Sequence, residues 1–286
     1  MATLWRMEVA DVDYVPDDRY RALPGLCFSE MKEILRSPAH YRHYKDNPPE
    51  PTKAMLLGRA VHMAVLEPAL FKRNFAVMDD SEICEEIGGS RPRATGAYRH
   101  WKDVFLADNA GKEFLDPGEY EAISAMAHAA FLHPAASALL EAKGRCEASL
   151  EWTDAVTGTP MKARLDKLLV SGRVIDVKTC EDARADAFQR SIYNYAYYLQ
   201  AATYLEAVNN CCEIEAGCDV PFTFICIEKS PPYAVAVYDI DTPALEIGAM
   251  AMRKCIDTFA KCSAANNWPG YSDIIAQIGL PAWANV

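Results

Sequence analysis

The sequence predicts an α/β protein in which a central mixed β-sheet is flanked by helices, with a helical N-terminal part. Apolar residues recur at helical spacing in the first 145 residues. From residue 146 to 180, β-branched runs alternate with turn signals, which is typical of strands. With 286 residues, of which 51% are hydrophobic, the chain can bury a substantial core.

Two helices near the N-terminus have recognisable boundaries. Ser29 is the candidate N-cap of a helix that stops before Pro38, and Thr52 is that of a buried helix that stops before Pro68. A loop is expected at 79–95, which lacks a sustained period and contains glycines and a proline. Further helices are expected at 96–109, 117–132 and 134–143.

The middle of the chain predicts the sheet. Turn signals at Thr157-Gly158 and Ser171-Gly172 divide this part into a three-strand meander. After it we expect two helices near 182–190 and 192–209, a hairpin that turns at Pro231-Pro232, and a long helix at 243–265.

Charge and composition limit the function classes. The net charge of −11 argues against a protein that coats nucleic acid through its overall charge, although local binding stays possible. The N-terminus shows no signal-peptide pattern and no long apolar run follows, so we expect a cytoplasmic protein without a membrane span. The ten cysteines are expected to be free thiols, since a chain of this size needs no disulfide framework.

The stretch "RLDKLLVSGRVIDVKTC" at 164–180 places charged residues in two apolar runs. Because side chains alternate along a strand, Asp176 and Lys178 share one face. A two-residue loop before the second strand would put Asp166 on the other face. A three-residue loop, Val170-Ser171-Gly172, would put Asp166 directly opposite Asp176, and we favour it because such loops place glycine in the left-handed conformation.

Two carboxylates that face each other on neighbouring strands repel unless a cation lies between them. A hard cation such as Mg²⁺ binds oxygen pairs of this kind, and a lysine one pleat away can orient a metal-bound water. The alternative is a solvated hairpin face with ordinary surface charges. The spacing alone favours neither interpretation.

Other motifs add to this pair. Gln200 and Tyr204 are four residues apart and therefore share a helix face, and His62 lies on an apolar helix upstream. The resemblance described next rests on five sequence motifs: "SPAHY" at 37–41, "GRAVHMAVLEP" at 58–68, "KARLDKLL" at 162–169, "VIDVKTC" at 174–180 and "YYLQAATYLEA" at 197–207. Together they resemble the PD-(D/E)xK nuclease superfamily, and within it the RecB-like and especially the RecE-type (exonuclease VIII-like) enzymes.

The resemblance implies a role for each matching residue. Asp166 and Asp176 would hold the metal with His62 and the Val177 carbonyl, and Lys178 would position the attacking water. Gln200 and Tyr204 would support the lysine and contact the DNA backbone. Glu147 is the preferred upstream acid and Glu151 is the alternative, because both fall on one strand face.

The resemblance also implies an activity and an organisation. Such enzymes use one or two Mg²⁺ ions, for which Mn²⁺ can substitute, to degrade linear double-stranded DNA from the 5′ end, like lambda exonuclease. They form ring-shaped homo-oligomers, here a trimer or tetramer, and supply 3′ strands to a single-strand annealing protein. The whole chain, 1–286, would be one nuclease domain of phage or prophage type. It would have a helical front at 20–145, a catalytic core at 146–240 and a C-terminal helix and tail at 241–286.

Two alternatives within the superfamily stay open. A Cas4-like enzyme would bind an iron–sulfur cluster, for which only Cys27, Cys211, Cys212 and Cys218 are available, and their spacing matches no C-x-x-C motif. A catalytically silent DNA-binding or assembly protein that keeps the fold would have little need for the whole set of Asp166, Asp176, Lys178 and Gln200. A protease or small-molecule hydrolase is disfavoured because H-E-x-x-H, G-x-S-x-G and glycine-rich phosphate loops are missing from the sequence.

Several arginines are candidates for DNA contacts. Arg91 and Arg93 lie in the expected loop, and Arg164 lies beside the first acid. Binding a terminal 5′-phosphate requires an arginine or a helix N-terminus, and Arg36 and Arg59 are also candidates for it.

Overall fold

The computed structural model describes residues 15–212 and 220–280. The N-terminal part is mainly helical. It contains α1 (Asp17–Ala22), α2 (Phe28–Arg36), α3 (Pro38–Asp46), α4 (Lys53–Leu66), α5 (Pro68–Asn74), β1 (Phe75–Val77), α6 (Ser81–Ile87), α7 (Gly96–Asp108), β2 (Glu113–Leu115), α8 (Pro117–Leu132) and α9 (Pro134–Glu141). Strands β1 and β2 form a small parallel pair of their own.

The second half of the chain builds the main sheet. Its elements are β3 (Gly144–Thr153), β4 (Pro160–Leu169), β5 (Val174–Cys180), α10 (Ala185–Asn194), α11 (Tyr197–Cys211), β6 (Phe222–Glu228), β7 (Val235–Asp239) and α12 (Thr242–Ala265). The five strands follow the order β3-β4-β5-β6-β7, and only β5 and β6 run parallel. The predicted meander, hairpin and mixed α/β sheet are confirmed.

Both faces of the central strands are buried under helices. One core contains Val174, Phe222 and Phe224 and packs against α10 and α11. The alternate residues Ile175 and Val177 belong to a second core on the opposite face, with α4 and α8. This two-sided burial explains why the sequences of β5 and β6 are mostly apolar and do not alternate between apolar and polar residues. The two charged residues that interrupt the run in β5, Asp176 and Lys178, are therefore informative, because charges between two cores need partners.

Helix α12 lies against α11 at a very short distance. The approach occurs at Gly248, where an added Cβ would clash with the Tyr198 carbonyl oxygen and lie 2.8 Å from the Ala202 Cβ. Glycine is therefore required by space and not by backbone conformation. The contact also helps to fix α11, which carries Gln200, against the sheet.

The predicted helix starts were half correct. Thr52 caps α4 as predicted, because its side chain accepts a hydrogen bond from Met55 N at 3.2 Å. The Ser29 cap was wrong, since α2 begins at Phe28 and its N-cap is Cys27. Glu30 explains the shift, because its carboxylate accepts a hydrogen bond from the Cys27 backbone N–H at 3.2 Å and so satisfies the helix start two residues earlier.

The expected loop at 79–95 was also wrong. It contains helix α6 and a 3₁₀ turn at Pro92–Ala94. Arg93 and Tyr98 both bond to Asp80, at 2.6 Å and 2.8 Å respectively. These contacts join residues 13 and 18 positions apart, and no local periodicity would reveal them.

No single helix in the described parts of the chain is long and apolar enough to cross a membrane. Helices α8 and α9 pass that test only as a pair, which is bent by 94°.

Candidate active site

The loop between β4 and β5 has three residues, as predicted. Leu169 N donates to Arg173 O at 2.9 Å, which closes the loop over Val170, Ser171 and Gly172. Gly172 has a φ of +89°, in the left-handed region that favours glycine. The register pairs Lys167 with Ile175, so the next pair along the strands would be Asp166 and Asp176.

The strands separate where the two acids would pair. The β4–β5 ladder contains only Lys167 with Ile175 and Leu168 with Val174. Beyond it, the Val177 backbone N–H donates to Asp166 Oδ2 at 2.8 Å. A side-chain carboxylate thus takes the place of a main-chain acceptor. The space between the separating ends of β4 and β5, called the fork below, contains the charged group of Asp166.

Asp176 lies at the base of this fork and its side chain is 0% exposed. Gln200 Nε2 donates to its Oδ1 at 2.9 Å. Lys178 Nζ lies 2.6 Å from its Oδ2, as an ion pair outside hydrogen-bond geometry. The Lys178 nitrogen also lies 4.5 Å from the centre of the Tyr197 ring, which places the charge over an aromatic face. The lysine and the buried acid are therefore held together by α11.

His62 reaches the same fork from α4. Its Nδ1 lies 3.3 Å from Asp166 Oδ2. Burial, followed by the positive charge of Lys178, lowers the pKa of His62 to about 4. The imidazole is therefore neutral at pH 7, which is the form that can bind a metal ion.

The pKa values of Asp166, Asp176 and Lys178 are all shifted, because the three charged groups lie close together away from solvent. Burial raises the pKa of Asp176 to about 6 against the opposing effect of Lys178, and it raises the pKa of Asp166 as well. Burial alone would lower the pKa of Lys178. The two carboxylates outweigh it, so that this pKa is raised and the lysine is charged.

The donors in this fork fit a hard divalent cation. Asp176 Oδ2 is a buried carboxylate oxygen whose partner in the described residues is the Lys178 ammonium, 2.6 Å away, and Asp166 adds a second carboxylate at the same fork. Within residues 15–212 and 220–280, no three His, Cys, Asp or Glu side chains converge into a ready-made metal site. Mg²⁺ requires less than that, since it is commonly held by one or two carboxylates and keeps several waters.

The two candidate upstream acids have different positions. Glu147 lies on β3 between the pairs that join Cys146 to Lys167 and Ala148 to Leu165, and so across from Asp166. Its φ of +50° is rare for a residue with a side chain. Glu151 instead pairs with Lys162, further along the sheet. The register therefore favours Glu147.

Tyr204 lies near the acids but does not face an open surface. Its ring packs 6.3 Å from that of Phe222 at the edge of the core. Burial, then Asp176 and Asp166, raise its pKa well above the ordinary value. Its neutral hydroxyl is suited to supporting Gln200 and less suited to touching a DNA backbone.

The candidate DNA-binding arginines are dispersed. Arg164 is mostly buried, stacks on the Tyr20 ring at 4.1 Å and donates to Val15 O, so it fastens the N-terminal segment to the sheet. Arg59 pairs with Glu113 and Arg93 with Asp80. Arg91 is exposed, and Arg36 pairs with Glu33 on its own helix. Arg164 also lies 4.0 Å from Glu147, and the other four arginines pair elsewhere or are exposed.

The cysteines are free thiols in the described residues. Burial raises the pKa of Cys27 to about 11 and that of Cys212 to about 11. Cys211 donates to the Glu151 carbonyl. The fourth cysteine proposed for a cluster, Cys218, lies outside the described residues.

Sequence reasoning did not identify Tyr197, whose ring covers the lysine. The signal was available, because Tyr197, Gln200 and Tyr204 follow one another at spacings of three and four residues and so form one stripe of α11. The role of Asp166 as an acceptor for the Val177 N–H could not have been found, since it depends on the separation of two strands.

Comparisons with known proteins agree with this geometry. The family described as "PDDEXK-like domain of unknown function (DUF3799)" matches residues 27–280. A solved structure of a candidate exonuclease from Eubacterium rectale matches over 94% of this chain and 97% of its own, with 15% identity and a TM-score of 0.50. At that identity it shows the fold alone.

The solved structure of SSO0001 matches over 87% of this chain and 79% of its own, with 13% identity. Its TM-score of 0.35 is too low to support an argument. No curated protein matches. The family match covers most of the chain, and the strand fork contains the paired acids and lysine that the motifs indicated. The chain therefore belongs to the PDDEXK-like family, and its predicted membership of the PD-(D/E)xK nuclease superfamily is confirmed.

Proposed function

We propose that the protein is a Mg²⁺-dependent exodeoxyribonuclease that hydrolyses phosphodiester bonds of linear double-stranded DNA. The observation that supports this most strongly is the fork of β4 and β5. There, two carboxylates, the fully buried Asp176 and the partly buried Asp166, lie beside a charged lysine, Lys178. Lys178 offsets one of the two negative charges, and the remaining charge of the carboxylate pair favours a bound divalent cation.

In this proposal Asp166 and Asp176 hold the metal, with His62 and the Val177 carbonyl as further ligands and Glu147 as the upstream acid. When bound, Mg²⁺ or Mn²⁺ polarises the scissile phosphate and lowers the pKa of a coordinated water. Lys178 orients the attacking water and offsets the charge that develops on the phosphate. Gln200 holds Asp176 in place, and Tyr197 and Tyr204 close the site around them.

The direction of digestion and the assembly follow from the resemblance to RecE-type enzymes. We propose digestion from the 5′ end, with release of a 3′ strand for recombination through a single-strand annealing protein, in the cytoplasm of a bacterial or phage-infected cell. A ring of three or four subunits would explain how a chain with a net charge of −11 stays on DNA, since topology replaces electrostatic affinity.

The direct test compares a linear duplex bearing a 5′-phosphate with a covalently closed circle, each with and without Mg²⁺. Wild type should degrade only the linear DNA, and only with Mg²⁺. Lys178→Ala should abolish the activity, whereas Lys229→Ala, which removes an exposed lysine paired with Glu181, should not.

Three results would revise the proposal. Cleavage of the circle would indicate an endonuclease. Inactivity with every divalent ion, despite DNA binding, would favour the silent relative. A brown protein with visible absorbance would favour the Cas4-like alternative with its iron–sulfur cluster.

A further inference from the structure

Four tyrosines surround the junction between α10 and α11, and two of them are exposed. Residues Tyr193 and Tyr195 are 76% and 56% exposed. Each lies against a less exposed partner. Tyr195 has its ring centre 5.6 Å from that of Tyr197, and Tyr193 has its ring centre 6.3 Å from that of Tyr198. Side chains of this size are usually covered, so two exposed rings only two residues apart in the sequence suggest a binding surface.

This surface begins at the candidate active site. Tyr197 is the ring that covers Lys178, with the lysine nitrogen 4.5 Å from its centre. Tyr195, which is exposed, is therefore one ring further out from the lysine than Tyr197. A base that stacks on Tyr195 would lie next to the scissile phosphate, whose developing charge Lys178 offsets in the proposed reaction.

The junction holds these rings in fixed positions. Tyr195 N donates to Ser191 O at 3.0 Å, and Ala196 N donates to Tyr193 O at 3.2 Å. Ala196 is buried and has a φ of +57°, a conformation that residues with a Cβ rarely adopt. A backbone held in this way presents the tyrosines with little freedom left to lose on binding, which favours affinity.

We infer that Tyr195, with Tyr193 beside it, stacks against unpaired bases at the end of the DNA, so that the protein prefers single-stranded or frayed ends. This inference rests on the proposed function. Within a duplex, base faces are already stacked on each other, and only a terminal or unpaired base offers a free face to an aromatic ring. A protein partner at this position would cover the approach to Lys178, whereas a base would deliver its own phosphate there.

The charge of the surroundings supports stacking as a source of affinity. On α10 and just before it, Arg184 pairs with Asp182 and Arg190 with Asp186. Their positive charge is therefore partly used within the chain, and phosphate contacts alone would give weak binding to this acidic protein. Stacking is independent of charge and adds affinity without more basic residues.

Binding of a labelled single-stranded oligonucleotide, measured by fluorescence anisotropy in EDTA so that nothing is cleaved, tests this inference. Tyr195→Ala should weaken binding by about 5- to 100-fold, as expected for the loss of one stacked base. Tyr195→Phe keeps the ring and should bind within about twofold of wild type. The matched control is Tyr271→Ala, because Tyr271 is 82% exposed and its ring contact is with His40, away from α10 and α11.

Two further measurements separate stacking from an indirect effect. Salt dependence reports phosphate contacts, so Tyr195→Ala should lower affinity at every salt concentration and leave the slope of log Kd against log [salt] unchanged. A 2-aminopurine near the oligonucleotide end should lose fluorescence when wild type or Tyr195→Phe binds, and much less with Tyr195→Ala.

Three results would overturn the inference: Tyr195→Ala binding like wild type, Tyr195→Phe binding as weakly as Tyr195→Ala, or Tyr195→Ala changing the oligomeric state and not DNA binding. The last would identify a subunit interface. These assays require no cleavage. If Tyr195→Ala weakens binding but wild type cleaves no DNA, the proposed function fails and the stacking site stands. If wild type cleaves DNA but Tyr195→Ala binds as tightly as wild type, only the stacking site fails.

Discussion

Gln200 on α11 donates a 2.9 Å hydrogen bond from its amide nitrogen to Oδ1 of Asp176 on β5. The bond lies in the interior, where Gln200 and Asp176 are both buried. It holds Oδ1 and thereby directs Oδ2 towards Lys178, whose nitrogen lies 2.6 Å away. A helix on one face of the sheet thereby sets the orientation of an acid in the strand fork.

Gln200→Ala should lower nuclease activity by about 10- to 100-fold, because residues that orient a metal ligand typically have effects of this size. The rate against Mg²⁺ concentration should shift to higher Mg²⁺, since Asp176 loses the bond that favours its ionised form. Asn210→Ala changes an exposed amide on the same helix and serves as the control. Unchanged rates at all Mg²⁺ concentrations would show that Gln200 does not orient Asp176.

Two substitutions of Asp166 should separate its structural role from its catalytic one. Asp166→Asn keeps an oxygen that can accept the Val177 N–H, so the free energy of unfolding should stay close to that of wild type while activity is lost. Asp166→Ala also removes the acceptor and should lower the free energy of unfolding by a further 1–3 kcal/mol or so, because the buried Val177 N–H is then unsatisfied. Urea unfolding and activity assays on both proteins check this. Equal stability of the two would contradict the role of the hydrogen bond.

Two glycines in helices should respond to alanine in opposite directions. Gly248→Ala places a Cβ against the Tyr198 carbonyl and should destabilise the protein by about 1–3 kcal/mol, as overpacking does. Gly58→Ala lies in α4 with nothing within 4 Å of the added Cβ, and it should stabilise by about 0.5–1 kcal/mol through helix propensity. Shifts of the urea midpoint in the same direction would contradict the packing of α11 against α12.

The ion pair of Asp154 with Arg253 should make stability depend on pH. Arg253 donates to both Asp154 oxygens, at 2.6 and 3.1 Å, and this pairing holds the pKa of the 11% exposed Asp154 at about 2, below the ordinary 3.8. Because the pKa is lower in the folded state, the ionised form stabilises the fold above about pH 4, by roughly 2 kcal/mol, and this stabilisation is lost as the pH falls towards 2.

Asp154→Asn should therefore be less stable than wild type at pH 7, and the difference should shrink as the pH approaches 2. Thermal unfolding at a series of pH values measures it, with the exposed Asp108→Asn as the control. A difference between wild type and Asp154→Asn that stays constant from pH 7 to 2 would show that the ion pair contributes no pH-dependent stability.

Local patterns were sufficient to predict the sheet and the acidic pair. The β-branched runs gave the meander, and the glycine at 172 gave the three-residue loop and so the register of Asp166. The spacing of Gln200 and Tyr204 placed both on one face of α11. These features depend on period and turn chemistry, which the residues themselves carry.

Features that depend on distant contacts could not be predicted. Helix α6 is accompanied by bonds from Arg93 and Tyr98 to Asp80. Arg164 was expected near DNA but stacks on Tyr20, which is 144 positions earlier in the sequence. Helix α3 begins at Pro38, which was interpreted only as the end of α2, although proline is equally suited to the first turn of a helix.

The three-residue loop at Val170, Ser171 and Gly172 has a consequence for how this protein can evolve. Surface loops usually accept insertions and deletions, but removing one residue here would shift the strand pairing by one position and turn Asp166 away from Asp176. The turn at Thr157-Gly158 does not affect this pairing, but it sets the register of β3 against β4 and so the position of Glu147 across from Asp166. Related sequences that remain active should therefore keep the length of the loop at 170–172, even where the loop residues themselves differ.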